Sequence, residues 1–114
     1  MIIMEFTRLS DQLAASPQVR PEDLREIADA GFVGIINNRP DAEGPDQPSS
    51  LEIETEAKRV GLDYWHVPVV PGAMSEKDVQ DFAAAMREAD GPVLAFCRTG
   101  NRSAGLWKAA QAIS

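Results

Sequence analysis

Apolar residues recur at two spacings along this chain, and the two patterns alternate from residue 20 onward. Stretches in which they return every three or four positions predict amphipathic helices, and short runs that are apolar throughout predict strands buried on both faces. The predicted helices cover residues 21–30, 49–60, 75–90 and 102–113. The predicted strands cover residues 32–36, 62–69 and 93–96, while residues 6–9 and 13–15 fit either short strands or irregular chain.

Start and stop signals support these boundaries. Ser49 followed by Glu52 fits a capping box, and Ser75 opens the next helix. Pro68 falls near the end of the second predicted strand, and because proline donates no hydrogen bond, we expect that part to lie at an edge or a strand end. Residues 38–48, with three prolines, predict a long surface loop.

Repeated strand, helix, strand connections require a parallel or mostly parallel sheet covered by helices. The sequence therefore predicts an α/β fold with a mostly parallel central sheet flanked by helices. In such sheets, ligands bind at the carboxyl ends of the strands. Residues 1–114 are expected to form one domain, and the end of the chain within the last helix leaves open a truncation at that end.

Charge narrows the choice of partner. Eighteen acidic against eleven basic residues give a formal net charge of −7, so we expect no nucleic-acid partner and no membrane partner. A small anionic substrate, or the phosphate of a phosphoprotein, can bind only in a local positive pocket. No apolar run approaches the roughly 20 residues that span a bilayer, and Glu5 stands where a secretory signal needs bases. We therefore expect a cytoplasmic protein, with its oligomeric state left open.

The residue inventory excludes several kinds of site. One Cys and one His cannot build a zinc site, a disulfide framework or a C-x-x-C redox pair. The chain also lacks the G-x-S-x-G elbow of serine hydrolases and the G-x-x-x-x-G-K-[ST] phosphate loop. No metal and no cofactor is expected.

Cys97 stands at the carboxyl end of the apolar strand 93–96, just before a short loop and a helix. Backbone N–H groups of such a loop converge on an anion, and the helix N-terminus adds positive potential. The same field lowers the pKa of a thiol from about 8.5 and makes it a nucleophilic thiolate. Arg102 adds a planar fork that matches two oxygens of a tetrahedral anion. The other predicted anion-binding residues are Arg98, Thr99, Gly100, Asn101 and Ser103, the last also a hydrogen-bond donor for the thiolate.

A plainer interpretation makes Cys97 a small buried apolar residue and pairs Arg102 with a surface acid, since buried free cysteines are common. Two arginines, a glycine and a serine within six residues of the only cysteine favour the active loop instead.

With these residues in place, the sequence resembles the beta-lactamase hydrolase-like, phosphatase-like domain family of bacteria, over nearly the whole chain. The resemblance implies the α/β fold of the protein tyrosine and dual-specificity phosphatase superfamily and a cysteinyl-phosphate mechanism. Fusion of such domains to metallo-beta-lactamase-like sulfur enzymes keeps sulfur chemistry open. The matching segments are Gly-Phe at 31–32, Ile-Ile-Asn-Asn-Arg-Pro-Asp at 35–41, Tyr-Trp-His-Val-Pro-Val at 64–69, Gly-Pro-Val-Leu at 91–94 and Cys-Arg-Thr-Gly-Asn-Arg-Ser at 97–103.

Three features depart from the superfamily's pattern. Phe96 replaces the usual His before the cysteine, and four residues instead of five separate Cys97 from Arg102. A loop of this length is similar to that of rhodanese sulfurtransferases, although the rest of the rhodanese pattern is absent or only weakly matched. Alignment with the dual-specificity pattern puts Pro71 where the catalytic Asp usually stands.

A proton donor must then come from another residue. Asp41 is the first candidate, because it follows a buried strand in a loop expected at the same sheet edge as Cys97. Glu43 and His66 come next, and Arg39 begins the same loop. Each also has a structural interpretation, as a turn residue, a loop ion pair or a backbone hydrogen bond.

The leading hypothesis is a cysteine-dependent hydrolase of a phosphate monoester, with Cys97 as nucleophile, Arg102 as oxyanion holder and Asp41 as acid. A sulfurtransferase that carries a persulfide on the same cysteine is the alternative. A module that binds anions without turnover is the third hypothesis.

Overall fold

Five short strands form one sheet within residues 5–113, the part of the chain that the computed structural model describes. The strands are β1 (Thr7–Arg8), β2 (Leu13–Ser16), β3 (Gly34–Asn37), β4 (Asp63–His66) and β5 (Val93–Phe96). The helices are α1 (Leu24–Asp29), entered through a 3-10 turn at Pro21–Asp23, α2 (Ser50–Arg59), α3 (Glu76–Glu88) and α4 (Asn101–Ile113). The predicted alternation of helices and strands is confirmed.

The strand order is β1-β2-β5-β3-β4, which puts β5 at the centre of the sheet. The neighbouring pairs β2–β5, β5–β3 and β3–β4 run parallel, and β1 pairs antiparallel with β2 at one edge of the sheet. In this register Phe96 lies between Ser16 and Asn37, and Asn37 pairs with His66. The four parallel strands therefore end together, and the loops that follow them meet at one edge. The predicted α/β class, with a mostly parallel sheet, is confirmed.

Helices cover both faces of the sheet, and the side chains of β5 alternate between two cores. Val93 and Ala95 point into the core beneath α3 and α4, whereas Leu94 and Phe96 point into the core beneath α1 and α2. All four side chains are fully buried. Burying a large apolar side chain stabilises a fold by about 1.5–3 kcal/mol, so this strand is firmly fixed. A group at the end of β5 is therefore also held in a fixed position.

The helix starts agree with the sequence patterns. Capping boxes form at Ser49 with Glu52 and at Ser75 with Asp78, each with reciprocal side-chain and backbone hydrogen bonds. The first predicted helix begins as a 3-10 turn at Pro21, and the last begins one residue early, at Asn101.

The strand bounds differ from the predicted ones, because β3 begins at Gly34 instead of residue 32 and β4 ends at His66 instead of continuing to residue 69. Val67 and Val69 donate backbone hydrogen bonds to Asn37 and Asn38, so the chain stays beside the end of β3. Pro68 between them has no N–H to extend the ladder. The carbonyl of Val69 accepts a hydrogen bond in the site described below.

None of the helices within residues 5–113 is long and apolar enough to cross a membrane. The start of the chain, used above to argue against a secretory signal, lies partly outside the described residues.

Candidate active site

Cys97 directly follows the central strand and is fully buried. Its backbone N–H donates to the carbonyl of Ser16, and the next loop residue, Arg98, accepts from Gln18. These hydrogen bonds fix the loop to the segment that follows β2. The sulfur is therefore held at the point where the strand ends and α4 begins.

The sulfur lies in a ring of backbone N–H donors. The Gly100 amide donates to Cys97 Sγ over 3.0 Å. Burial raises the pKa of the Cys97 thiol, but hydrogen bonds from the amides of Ser103, Thr99, Gly100 and Arg102 outweigh burial, so that the pKa falls below its ordinary value. The loop and the first turn of α4 thus stabilise a thiolate.

Gly100 is required by the shape of this loop. Its φ of +96° lies in the left-handed region, which favours glycine. A Cβ atom there would lie 3.3 Å from the carbonyl carbon of Ser16, closer than a normal contact. Because glycine adopts this φ and has no Cβ, the loop closes tightly enough for the Gly100 amide to reach the sulfur.

Arg102 lies in the first turn of α4, and three contacts hold its guanidinium. Nη1 donates to Glu43 Oε2 over 2.8 Å and to the Val69 carbonyl over 2.9 Å, and Nη2 donates to Glu43 Oε1 over 2.7 Å. The hydrogen bonds to Glu43 raise the pKa of Arg102 despite partial burial, and the charges of Glu43 and Cys97 raise it further. The guanidinium therefore connects the thiolate to Glu43.

Glu43 bridges two arginines. Its Oε1 also accepts from Arg39 Nε over 2.8 Å, and Arg39 in turn donates to Gln18 Oε1 over 2.9 Å. The hydrogen bonds with Arg102, followed by those with Arg39, hold the pKa of Glu43 below its ordinary value despite partial burial. Glu43 is thus a carboxylate at neutral pH.

The backbone before Glu43 is strained. Ala42 has a φ of +60°, the left-handed region that non-glycine residues rarely adopt. Such strain costs on the order of 1–3 kcal/mol and persists only where the surroundings impose it. The two ion pairs of Glu43 supply that constraint, since they tie it to α4 and to Arg39 at the start of the same loop.

The structure gives Asp41 and His66 structural contacts. Asp41 Oδ1 accepts from the Ser50 amide over 2.7 Å at the start of α2, and His66 Nε2 lies 3.0 Å from the Arg39 carbonyl oxygen. Of the three predicted proton donors, Glu43 is the one that the structure brings to Arg102. Asp41 shares a loop with it but contacts a different element.

Ser103 and Asn38 form a buried pair that ties the cradle to the sheet. Ser103 Oγ donates to Asn38 Oδ1 over 2.8 Å, and Asn38 Nδ2 donates to the Val67 carbonyl over 3.0 Å. Both residues are fully buried. The Ser103 hydroxyl proton is therefore committed to Asn38, while its backbone amide faces the sulfur.

Sequence reasoning overlooked Asn38 as a site residue. The available signal was a pair of asparagines immediately after an apolar strand, where a buried amide needs polar partners. Thr99 and Asn101, in contrast, were predicted and have exposed side chains, with the Asn101 amide 3.3 Å from Thr99 Oγ1. Thr99 contributes its backbone amide to the cradle, whereas the Asn101 amide donates to Thr99.

A cavity of about 330 Å³ opens beside Arg102. Its walls are formed by Arg39, Glu43, Gly44, Pro45, Pro71, Arg98 and Arg102. Three guanidiniums face one carboxylate there, which makes the cavity positive within a protein of net charge −7. This is the local positive pocket that an anion requires.

A second cavity, of about 640 Å³, lies on the β1 and β2 side of the loop. It includes Thr99, Gly100 and Asn101 but, among the residues that the structure describes, neither Lys nor Arg. The arginine-lined cavity is therefore the better site for an anionic group. Residues 5–113 contain no cluster of His, Cys, Asp or Glu able to hold a metal ion.

The central strand, the cysteine at its end and the cradle at a helix N-terminus define the cysteine-phosphatase fold, which solved structures share. The crystal structure of a candidate phosphatase from Neisseria meningitidis is 37% identical, has a TM-score of 0.82, and is matched over 94% of this chain and 74% of that one. A candidate phosphatase from Shewanella putrefaciens, at 24% identity, has a TM-score of 0.84, with 96% and 71% of the two chains covered.

The family model for the beta-lactamase hydrolase-like protein, phosphatase-like domain, matches residues 5–114, and the chain belongs to that family. A beta-lactamase hydrolase-like protein of Agrobacterium fabrum is 34% identical over 110 residues, or 96% of this chain. The match covers 26% of that relative, so the chain spans about a quarter of its length. The resemblance stated from the sequence is confirmed.

Proposed function

We propose that the chain hydrolyses a phosphate monoester through a phosphocysteine intermediate. The observation that carries this proposal is the set of backbone amides and the Arg102 guanidinium gathered around the Cys97 sulfur. The thiolate attacks phosphorus, an S–P bond forms and the ester P–O bond breaks. Water then attacks the phosphocysteine, which releases phosphate and restores the thiolate.

Arg102 and the loop amides stabilise the transition state. The bonds to Glu43 and Val69 use three of the five guanidinium N–H protons. The Nε proton and one Nη2 proton are left, and together they form a planar edge that can bind two phosphate oxygens. Glu43 therefore binds the Nη1 and Nη2 side of the guanidinium and leaves the edge formed by Nε and Nη2 for the substrate.

The identity of the proton donor stays a prediction. Asp41 accepts from the Ser50 amide through Oδ1, and Glu43 is ionised beside Arg102. Pro71 lines the cavity but supplies no proton. Substrates with good leaving groups are therefore expected to react fastest, because they depend least on an acid.

The experiment measures turnover of p-nitrophenyl phosphate. We expect activity in the parent protein, none in Cys97→Ser, and at least a hundredfold loss in Arg102→Lys, because an ammonium cannot reproduce the two-pronged guanidinium. Arg87→Lys, at an exposed position on α3, is the matched control and should keep full activity. A parent protein inactive on several phosphate esters would overturn the proposal.

A second candidate function rests on the loop length. Four residues between Cys97 and Arg102, as in rhodaneses, favour sulfur transfer. The Cys97 thiolate would take the outer sulfur of thiosulfate and release sulfite, and cyanide would then remove that sulfur as thiocyanate. Robust thiocyanate formation without phosphate ester hydrolysis would select this function. Anion binding without either turnover would select the non-catalytic module.

A compartment follows from the same chemistry. A free thiolate nucleophile needs a reducing environment, so we place the protein in the cytoplasm.

A further inference from the structure

Arg98, next to the reactive thiol, forms no ion pair within the described residues 5–113. Its side chain is exposed and lines the same cavity as Arg102. Within residues 5–113, the ion pairs engage Arg39, Arg59 and Arg102 among the arginines, and none engages Arg98. The other two cavity arginines share the single carboxylate of Glu43. The three guanidiniums and one carboxylate leave a net positive charge on the cavity, and Arg98 carries the part of it that no carboxylate shares.

The geometry separates this charge from the anion cradle. The proposed scissile phosphate is held by the loop amides around Cys97 and by the free edge of Arg102. Arg98 precedes those amides in the loop and lines the cavity, whereas Thr99 and Gly100 do not line it. A group bound there would belong to the rest of the substrate.

The other residues that line the cavity indicate the size and polarity of the rest of the substrate. Gly44, Pro45 and Pro71 complete the lining, and no aromatic side chain lines this cavity among residues 5–113. A phenyl leaving group would find little apolar surface to stack on. The volume of about 330 Å³ lies at the lower end for small-molecule sites, which accommodates a compact molecule.

From these observations we propose that the substrate is a small, non-aromatic phosphate ester with a second anionic group, a carboxylate or a second phosphate, bound by Arg98. This inference rests on the proposed phosphatase function and names its substrate class. A charge-assisted hydrogen bond to Arg98 would favour such esters over neutral ones of equal size.

Protection of Cys97 against iodoacetamide tests binding without requiring turnover. The probes are ethyl phosphate, 2-phosphoglycolate and ethylene glycol bisphosphate, at constant ionic strength. We expect the two esters with a second anionic group to protect at concentrations at least tenfold lower than ethyl phosphate. In Arg98→Gln this advantage should fall below about threefold, and Arg87→Gln, the matched surface control, should keep it.

The arms of the experiment separate the outcomes. Of the two probes with a second anionic group, the one that protects more strongly identifies that group as a carboxylate or a phosphate. Equal protection by all three esters, or an advantage that survives in Arg98→Gln, would overturn the inference. Turnover of p-nitrophenyl phosphate is measured on the same samples, so that loss of the proposed phosphatase function is recognised separately from loss of this preference.

Discussion

Glu43 and Arg102 lie 59 positions apart in the chain and meet side by side, with two hydrogen bonds of 2.8 and 2.7 Å between guanidinium and carboxylate. Paired geometry of this kind fixes both the position and the plane of a guanidinium. The pair joins the long loop after β3 to the first turn of α4. It thereby links the orientation of Arg102 to a loop that also contacts α2 and β4.

Replacing Glu43 by Gln should weaken the reaction. The amide presents one donor to a guanidinium that needs two acceptors, so Arg102 loses its fixed plane. We expect kcat/KM for p-nitrophenyl phosphate to fall about tenfold. Glu54→Gln, which removes a surface carboxylate paired with Lys58, should have no effect. Tighter phosphate inhibition and faster turnover in Glu43→Gln would show instead that Glu43 competes with substrate for Arg102.

The same pair predicts a pH dependence of stability. The hydrogen bonds from Arg102 lower the pKa of Glu43 from its usual 4.5, so its stabilisation is complete above that pH and is lost as the pH falls through the lowered pKa. Because the pair is partly exposed, Glu43→Gln should cost at most about 1 kcal/mol at pH 7. Urea unfolding should show the difference shrinking in acid. A difference that grows on acidification would contradict the ion pair.

Cys97 should react as a thiolate below the pH at which ordinary thiols do. Iodoacetamide should modify it rapidly near pH 6, where a thiol of pKa about 8.5 is almost wholly protonated. Gly100→Ala should push the loop off Ser16 and move the reaction midpoint upward. Gly72→Ala is a matched control, since Gly72 also has a positive φ, +75°, but has no neighbour within 4 Å of the added Cβ. A wild-type midpoint near 8.5 would remove the basis for the active loop.

Ser103→Ala should separate stability from thiol chemistry. The hydroxyl donates to the buried Asn38, so its loss leaves an unsatisfied acceptor and should cost about 1–3 kcal/mol in urea unfolding. The Ser103 backbone amide remains, so the pKa of Cys97 from its alkylation profile should change little. A clear rise in that pKa would mean that the hydroxyl donates to the sulfur as well.

Asp41→Asn tests the predicted proton donor, because the amide can still accept from Ser50 but carries no transferable proton. If Asp41 is the acid, hydrolysis of ethyl phosphate should slow by a factor of about 10²–10⁴, whereas p-nitrophenyl phosphate should change far less. The ratio of the two rates is the measurement. Equal losses, or none, would restrict Asp41 to its contact at the start of α2.

The local order of the chain determined the fold class and the nucleophile. An entirely apolar strand is stable only where both of its faces are covered. The run at residues 93–96 therefore indicated a central position, and β5 lies at the centre of the sheet. The cysteine, glycine and arginine that follow it are neighbours in sequence, so the cradle could be predicted directly. The start of α2 at Ser49 was equally local, since a capping box involves residues three apart.

Only the tertiary structure decided which distant side chains complete the site. Asp41 and Glu43 are two positions apart on one loop, and nothing in their spacing tells which turns toward Arg102. The left-handed backbone at Ala42 and the competing contact of Asp41 with Ser50 settle that choice. The pairing of Asn38 with Ser103, 65 positions away, likewise depends on parallel strands ending at one edge. Such contacts depend on packing and loop strain between segments that are distant in the sequence. A sequence pattern describes each of those segments separately.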